Sequence, residues 1–349
     1  MTRHIPSLDG LRAVSFLLVF IAHMDFVNFV PGGFGVTIFF FLSGFLITTL
    51  MRAEHDKNGF LNLRHFWLRR ILRIWPSFYL VIVLTTAYTL LLEPTGTLQP
   101  RAMSAQALHV TNYWIMLHGI RGIPAGTDVY WSLAVEEHFY LVFPWLYIAM
   151  RKLQMSGRQQ AVLLWTLCGI VLAWRCVLVL KMHASSDHTY LATDTRIDSI
   201  LFGCALAVWN NPVLDAWKPR EKYWKYIVVP ASVLVLLACL AFRDPAFRET
   251  VRYSLQGAAL MPIFVAAIRF PNWLPFRFLN ARPVAFVGLL SYSLYLIHYP
   301  VIFAVREHAP DFSLPTQLGL SFAIAMGIAW LFYVYVEGPC AKIRKRLSD

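Results

Sequence analysis

Long apolar runs separated by short polar stretches dominate the chain, and their spacing predicts helices that cross a membrane. A crossing takes about 20 apolar residues, enough to span roughly 30 Å of hydrocarbon. Windows of this kind open at 11–30, 34–51, 75–92, 130–150 and 160–182, and continue at 197–210, 226–242, 251–268, 284–305 and 316–336; the window at 197–210 is short. The pattern predicts an all-α fold, a polytopic integral membrane protein of about ten transmembrane helices. The stretch 102–118 is moderately apolar too, but counting it as a span would send Arg151, Lys152 and Arg158 outside, against the gathering of basic residues on the cytoplasmic side. It reads as interfacial or re-entrant. With ten spans the basic clusters at 64–73, 151–158, 218–225 and 342–346 all share one side, which puts both termini in the cytoplasm of a multi-pass protein of the inner (plasma) membrane.

Composition agrees with that pattern. Of 349 residues, 58% are hydrophobic and 14% charged, with a mean hydropathy of +0.55; a soluble fold could not bury so much apolar surface. The net charge of +12 would suit nucleic acid, but in a polytopic chain it belongs to the cytoplasmic loops, so no nucleic-acid partner is expected. Cys168, Cys176, Cys204, Cys239 and Cys340 lack paired spacing, which argues against a disulfide framework or a metal site. The first apolar run has no small-residue cleavage site and reads as a retained helix. With no internal repeat and no flexible linker, residues 1–349 are expected to form a single transmembrane domain with no appended soluble domain.

Against this apolar background the ionisable residues inside spans carry the candidate chemistry. His23 lies about twelve residues into the first window, near or beyond the bilayer midplane. Its bland reading is a packing histidine bonded to a neighbour; its functional reading is a general base, since a neutral imidazole with a pKa near ~6.5 accepts a proton at working pH. The eleven steps from Arg12 to His23 make close to three helical turns, so the two share a face, roughly 16 Å apart along the axis. Asp9 and Arg12, at i and i+3, form either an interfacial salt bridge or part of a site. Arg69, Arg70 and Arg73 lead into the third span; topology explains each singly, while three planar guanidinium forks on one helix also suit a phosphate.

Glu136 and Glu137 fall within a span, and their 100° offset lets only one face the bundle centre, to orient His23 or to hold an arginine. Asp198 and His298 are weaker candidates, equally readable as satisfied bundle residues; with Trp131 and Tyr292 from the neighbouring motifs they form the candidate substrate-binding set. Glu337-Gly-Pro most simply stops a helix. GGFGV at 32–36 has no preceding strand and lacks a third glycine, so it reads as a tight hairpin between two spans rather than a dinucleotide loop. Metalloprotease, serine-hydrolase and phosphate-binding-loop motifs are absent from the sequence.

Six segments in order resemble the acyltransferase 3 family of membrane O-acyltransferases: SLDGLRAV followed by His23, GVTIFFFLSGFLIT, RRILRIWPSFY, YWSLAVEEHFYL, TRIDSILFGCALA and LLSYSLYLIHYP. The resemblance covers essentially the whole chain. It implies transfer of an acyl group, commonly acetyl, from cytoplasmic acyl-CoA to a hydroxyl of a glycan or glycolipid acceptor, with no metal. It further implies that Arg12 and His23 are the functional pair and that Arg69, Arg70 and Arg73 help bind the donor. Two positions depart from the family pattern, which usually has Asp at Thr37 and Gln at His138; a mechanism needing a carboxylate at the top of the second span lacks it here. Some family members append an extracytoplasmic hydrolase-like domain. Without one, the membrane domain is expected to act alone or to hand the acyl group to a separate extracytoplasmic acceptor protein. The competing reading is a proton-coupled carrier or flippase with His23, Glu136, Glu137 and His298 as a relay; transporters often show two related halves, and this chain shows none.

Overall fold

The structure, a computed structural model, describes residues 5–26, 29–92 and 98–346. Among these residues all regular structure is helical. The longer helices are α1 (Pro6–Ile21), continued by a π turn at Ala22–Phe26, α2 (Gly32–Asn58), α3 (Leu63–Leu92), α4 (Pro100–Ala107), α5 (Thr111–His118), α6 (Trp131–Lys152) and α7 (Gly157–Leu180). They are followed by α8 (Thr193–Val208), α9 (Val229–Ala241), α10 (Val251–Arg269), α11 (Arg282–Leu289), α12 (Ser291–His308), α13 (Leu314–Phe332) and α14 (Gly338–Arg346).

Seven described helices are long and apolar enough to cross a bilayer, and α11 with α12, bent by 74° at their junction, makes an eighth if the pair is one span. The windows at 130–150 and 197–210 are helical but fall outside that set. α6 carries Glu136, Glu137, Arg151 and Lys152, and α8, at 16 residues, reaches only about 24 Å at 1.5 Å per residue. The stretch 102–118 forms two eight-residue helices, α4 and α5, so it is no single span. GGFG is not a hairpin: α2 begins at Gly32, and a side chain on Gly32 would run into Ala22.

The described residues form two compact units. The first comprises those of Met1–Ser15, Gly33–Leu61 and Leu141–Gly288. Within it α8 packs on α7 and α10, and α9 packs on α10. Small residues set how closely these helices approach: a Cβ on Gly44 of α2 would strike the Ile200 carbonyl, and one on Gly203 of α8 the Phe41 carbonyl, the small-residue contact that lets membrane helices touch backbone to backbone. At its centre Arg175 and Asp198 are fully buried. Arg175 donates from Nη1 and Nη2 to the two Asp198 oxygens at 2.9 and 2.7 Å and from Nε to the Thr250 carbonyl at 3.0 Å, and Ser254 Oγ donates to Asp198 at 2.8 Å.

The second unit comprises Phe16–Gly32, Asn62–Tyr140 and the described residues of Leu289–Asp349. Its core is α12, packed on α3 and α13, with α14 folded back onto α3. The register of α12 on α3 is pinned by Tyr292 Oη, which donates to the Ile74 carbonyl at 2.6 Å. Proline lies inside both α3 (Pro76) and α12 (Pro300); the Leu296 carbonyl that Pro300 leaves without its helical N–H accepts instead from Tyr130 Oη.

Candidate active site

The second unit holds a paired-histidine centre. The π turn that ends α1 carries His23, and π turns of this kind recur at functional sites because they widen the helix and re-aim a side chain. His23 Nδ1 lies 2.8 Å from the Val19 carbonyl and 3.4 Å from Nε2 of the fully buried His298. His298 Nδ1 in turn lies 2.7 Å from the Tyr295 carbonyl. A carbonyl oxygen can only accept, so in the neutral rings both Nδ1 atoms carry the proton. That leaves the His23 Nε2 lone pair available to take a proton.

Aromatic rings build the walls. Tyr299 lies 4.5 Å from His23, centroid to centroid, and Phe16 meets His298 edge-on at 5.8 Å. Arg306 Nη2 donates to the His23 carbonyl at 3.1 Å, closing the end of the π turn. Below His298, Ser132 Oγ and Tyr295 Oη sit 2.6 Å apart at the Val129 carbonyl, and Tyr130 Oη donates to the Leu296 carbonyl at 2.6 Å. The α6 start, including the buried Trp131, is thereby locked to the helix that carries His298. Of the candidate substrate-binding residues, Trp131, Tyr292 and His298 lie in this unit; Asp198 lies in the other, with both carboxylate oxygens already bonded.

Arg69, Arg70 and Arg73 lie together near the start of α3. Arg70 is buried over the Phe66 ring at 5.9 Å, its Nε without a hydrogen-bond partner. Arg69, Arg73 and Arg344 of α14 all lie within electrostatic reach of it. Two carboxylates lie within electrostatic reach of the cluster, Glu137 of Arg70 and Glu337 of Arg73 and Arg344; Glu337 accepts a hydrogen bond from Ser293. Four guanidiniums against two carboxylates leave net positive charge that an anion would relieve. Arg344 was missed by sequence reasoning, because KIRKR in the last turn reads as a positive-inside anchor; only the packing of α14 on α3 reveals its company.

The remaining candidates separate. Glu136 accepts from Tyr140 Oη at 2.6 Å, whereas Glu137 lies near Trp75 and Arg70; the partner described at His23 Nδ1 is the Val19 carbonyl rather than a glutamate. Asp9 and Arg12 lie in the first unit, where Arg12 Nη1 donates to Asp9 Oδ1 at 2.8 Å. Thr37, where the family usually has Asp, accepts from the buried Arg196 at 3.1 Å, whose guanidinium sits 4.0 Å over Tyr253. His138 stacks on Tyr113 at 6.0 Å. Among the described residues no cluster of side chains is fit to hold a metal ion.

Apolar helices around a buried imidazole pair define a helical membrane protein with titratable groups held among its helices. The chain belongs to the acyltransferase 3 family, whose model, described as an acyltransferase domain, matches residues 5–334. It is 31% identical over 352 residues to the peptidoglycan O-acetyltransferase OatA of Listeria monocytogenes serovar 1/2a, covering 97% of this chain and 56% of that protein. It is 32% identical over 357 residues to the putative peptidoglycan O-acetyltransferase YrhL of Bacillus subtilis (strain 168), covering 97% and 55%. A putative O-acetyltransferase of Staphylococcus aureus (strain COL) is 28% identical, covering 97% and 58%. The chain thus spans just over half the length of these curated relatives. No solved structure matches it.

Proposed function

We propose that the chain is a membrane O-acetyltransferase that moves an acetyl group from acetyl-CoA to a hydroxyl of a cell-wall glycan, with His23 as general base. One observation carries this reading: two backbone carbonyls set the tautomers of the histidine pair so that His23 Nε2 is left with its lone pair. Family membership and relatives named as peptidoglycan O-acetyltransferases support the acyl chemistry and the glycan class.

Distance supports the donor. With Tyr292 level with Ile74, His298 stands about 9 Å further along α12, and Arg69 about 7.5 Å back along α3, at 1.5 Å per residue. The anion site and the imidazole pair are then separated by roughly 16 Å, the reach of an extended pantetheine arm from phosphate to thioester. Phosphates rest on Arg69, Arg70, Arg73 and Arg344 at the cytoplasmic side, and the thioester meets His23. The acceptor hydroxyl gives its proton to Nε2, its oxygen bonds to the thioester carbonyl, the C–S bond breaks, and the imidazolium returns the proton to the leaving thiolate. Holding both substrates in a dry site supplies much of the acceleration. Arg12, paired with Asp9, is the second half of the functional pair in this proposal, and both termini face the cytoplasm of the inner membrane.

The test is thioester loss from labelled acetyl-CoA by the purified chain in lipid nanodiscs, with and without peptidoglycan fragments. His23→Ala is expected to lower acetyl transfer at least 10³-fold without changing yield or thermal stability. Transfer at the wild-type rate in that variant would falsify the assignment.

A further inference from the structure

A second polar cluster in the same unit is left unsatisfied, and it lies between the arginines and the histidines. α4 and α5 form a helical hairpin whose turn is His109, held at φ 55°, a left-handed conformation that a non-glycine residue adopts at a cost and that concentrates at functional sites. Tyr79 of α3 fastens this hairpin by donating to the Ala107 carbonyl at 2.9 Å. The His109 ring stacks on Phe78 at 4.4 Å and on Trp75 at 6.2 Å, and is only 6% exposed. Neither of its nitrogens has a hydrogen-bond partner. Around it, Oε1 of the fully buried Gln106 is likewise unpartnered, and Trp75 Nε1 and Glu137 Oε1, buried and close to one another, fall short of a formed hydrogen bond. Burial, reinforced by the neighbouring His138, pushes His109 down to about 4, so the ring is neutral.

An unmet hydrogen bond at one buried group costs about 1–3 kcal/mol, and several together make sense when something else completes them. The unmet groups are an imidazole N–H and an imidazole nitrogen on His109 and a carboxamide oxygen on Gln106, with the Trp75 indole N–H and a Glu137 carboxyl oxygen beside them, loosely paired with each other. Such a set suits an uncharged ligand with amides, which offer both senses at once. Trp75 stands about 9 Å beyond Arg69 on α3, and about 7.5 Å short of the level of His298, by the same rise per residue. That is midway along an arm whose phosphate sits on the arginines and whose sulfur meets His23.

We infer that Trp75, His109 and Glu137 bind the amides of the donor's pantetheine arm, and so set how far the thioester reaches toward His23. The inference rests on the reading of the donor as acyl-CoA.

The test compares binding of coenzyme A with binding of its nucleotide alone, adenosine 3′-phosphate 5′-diphosphate, to the full chain in nanodiscs by calorimetry. His109→Phe keeps the stacked ring and Trp75→Phe removes the indole N–H; each is expected to weaken coenzyme A about tenfold and to leave the nucleotide unchanged. Glu137→Gln, which retains an acceptor oxygen, is expected to bind coenzyme A as the wild type does, and Glu137→Leu to lose about tenfold. Equal weakening of both ligands, or no weakening of either in Trp75→Phe and His109→Phe, overturns the inference while the donor reading stands. A wild-type chain that binds neither ligand overturns the donor reading and this inference with it.

Discussion

At the residue scale the decisive feature is where protons sit. A histidine within an apolar helix is visible in any reading of the sequence, but a base needs a defined lone pair, and the carbonyls of Val19 and Tyr295 provide that definition by bonding Nδ1 in each ring. His298→Phe keeps the aromatic wall and removes the 3.4 Å contact with His23; kcat is expected to fall about 10–100-fold with the donor KM unchanged, read by steady-state kinetics. Asp128, in the turn before α6 and outside the candidate spans, is a different case. Burial pushes its carboxyl up to about 6, against a smaller opposing pull from its own backbone N–H. Its folded value then exceeds the unfolded one of about 3.9, so the folded state binds more protons between about pH 4 and 6 and stability is lost as pH rises through that window. Asp128→Asn is expected to add about 1–3 kcal/mol at pH 7 and nothing at pH 3.5, seen as a melting-temperature gain in detergent at the higher pH only.

At the scale of elements, sequence reasoning succeeded where one physical force dominates and failed where two compete. Apolar run length located α7 and α10 within a few residues, because burial in lipid demands it, but it stopped short of the polar ends of α2 and α3, which run on as helix to Asn58 and start back at Leu63. It counted the run containing Trp131 as a span with Glu136 and Glu137 inside it, whereas that helix falls outside the set of seven, and it did not foresee that glycines at 32 and 33 would open a helix. There, close packing on Ala22 outweighed the turn preference of glycine. The stretch 102–118, read as interfacial or re-entrant, breaks at His109 into two short helices, and nothing in the sequence marks that histidine as the turn. The loop ahead of α6 docks on α12 through Gly126, which has φ 68° and leaves no room for a Cβ against the Pro300 backbone. Gly126→Ala combines a left-handed strain of about 1–2 kcal/mol with that overlap. It is expected to lower the melting temperature and cut acetyl transfer severalfold, where a change to neither would show the contact to be dispensable.

At the scale of the whole molecule, charge asymmetry and helix length lead to two different topologies. The basic clusters argue for ten spans with both termini inside, whereas seven or eight described helices meet the length and hydropathy that a crossing requires. The two counts put the segment between α6 and α7 on opposite sides. With Cys176 and Cys340 changed to serine, Gln154→Cys is expected to be protected from a membrane-impermeant maleimide added outside intact cells, and Asp244→Cys to react. Labelling of both would favour eight spans, with α6 and α8 held within the protein rather than crossing as full helices.

Length, hydropathy and charge asymmetry sufficed to establish an all-helical membrane protein, and ordered motifs sufficed for its family, because both are local properties written directly in residue order. Arg12, His23 and the arginines of α3 could be named as candidates for the same reason. Arg344 beside Arg70, the imidazole partner of His23, and the unsatisfied ring of His109 were not, since each depends on which helices come to lie together. Such meetings are settled by side-chain packing and hydrogen-bond completion between segments far apart in the chain, and only the folded arrangement decides them.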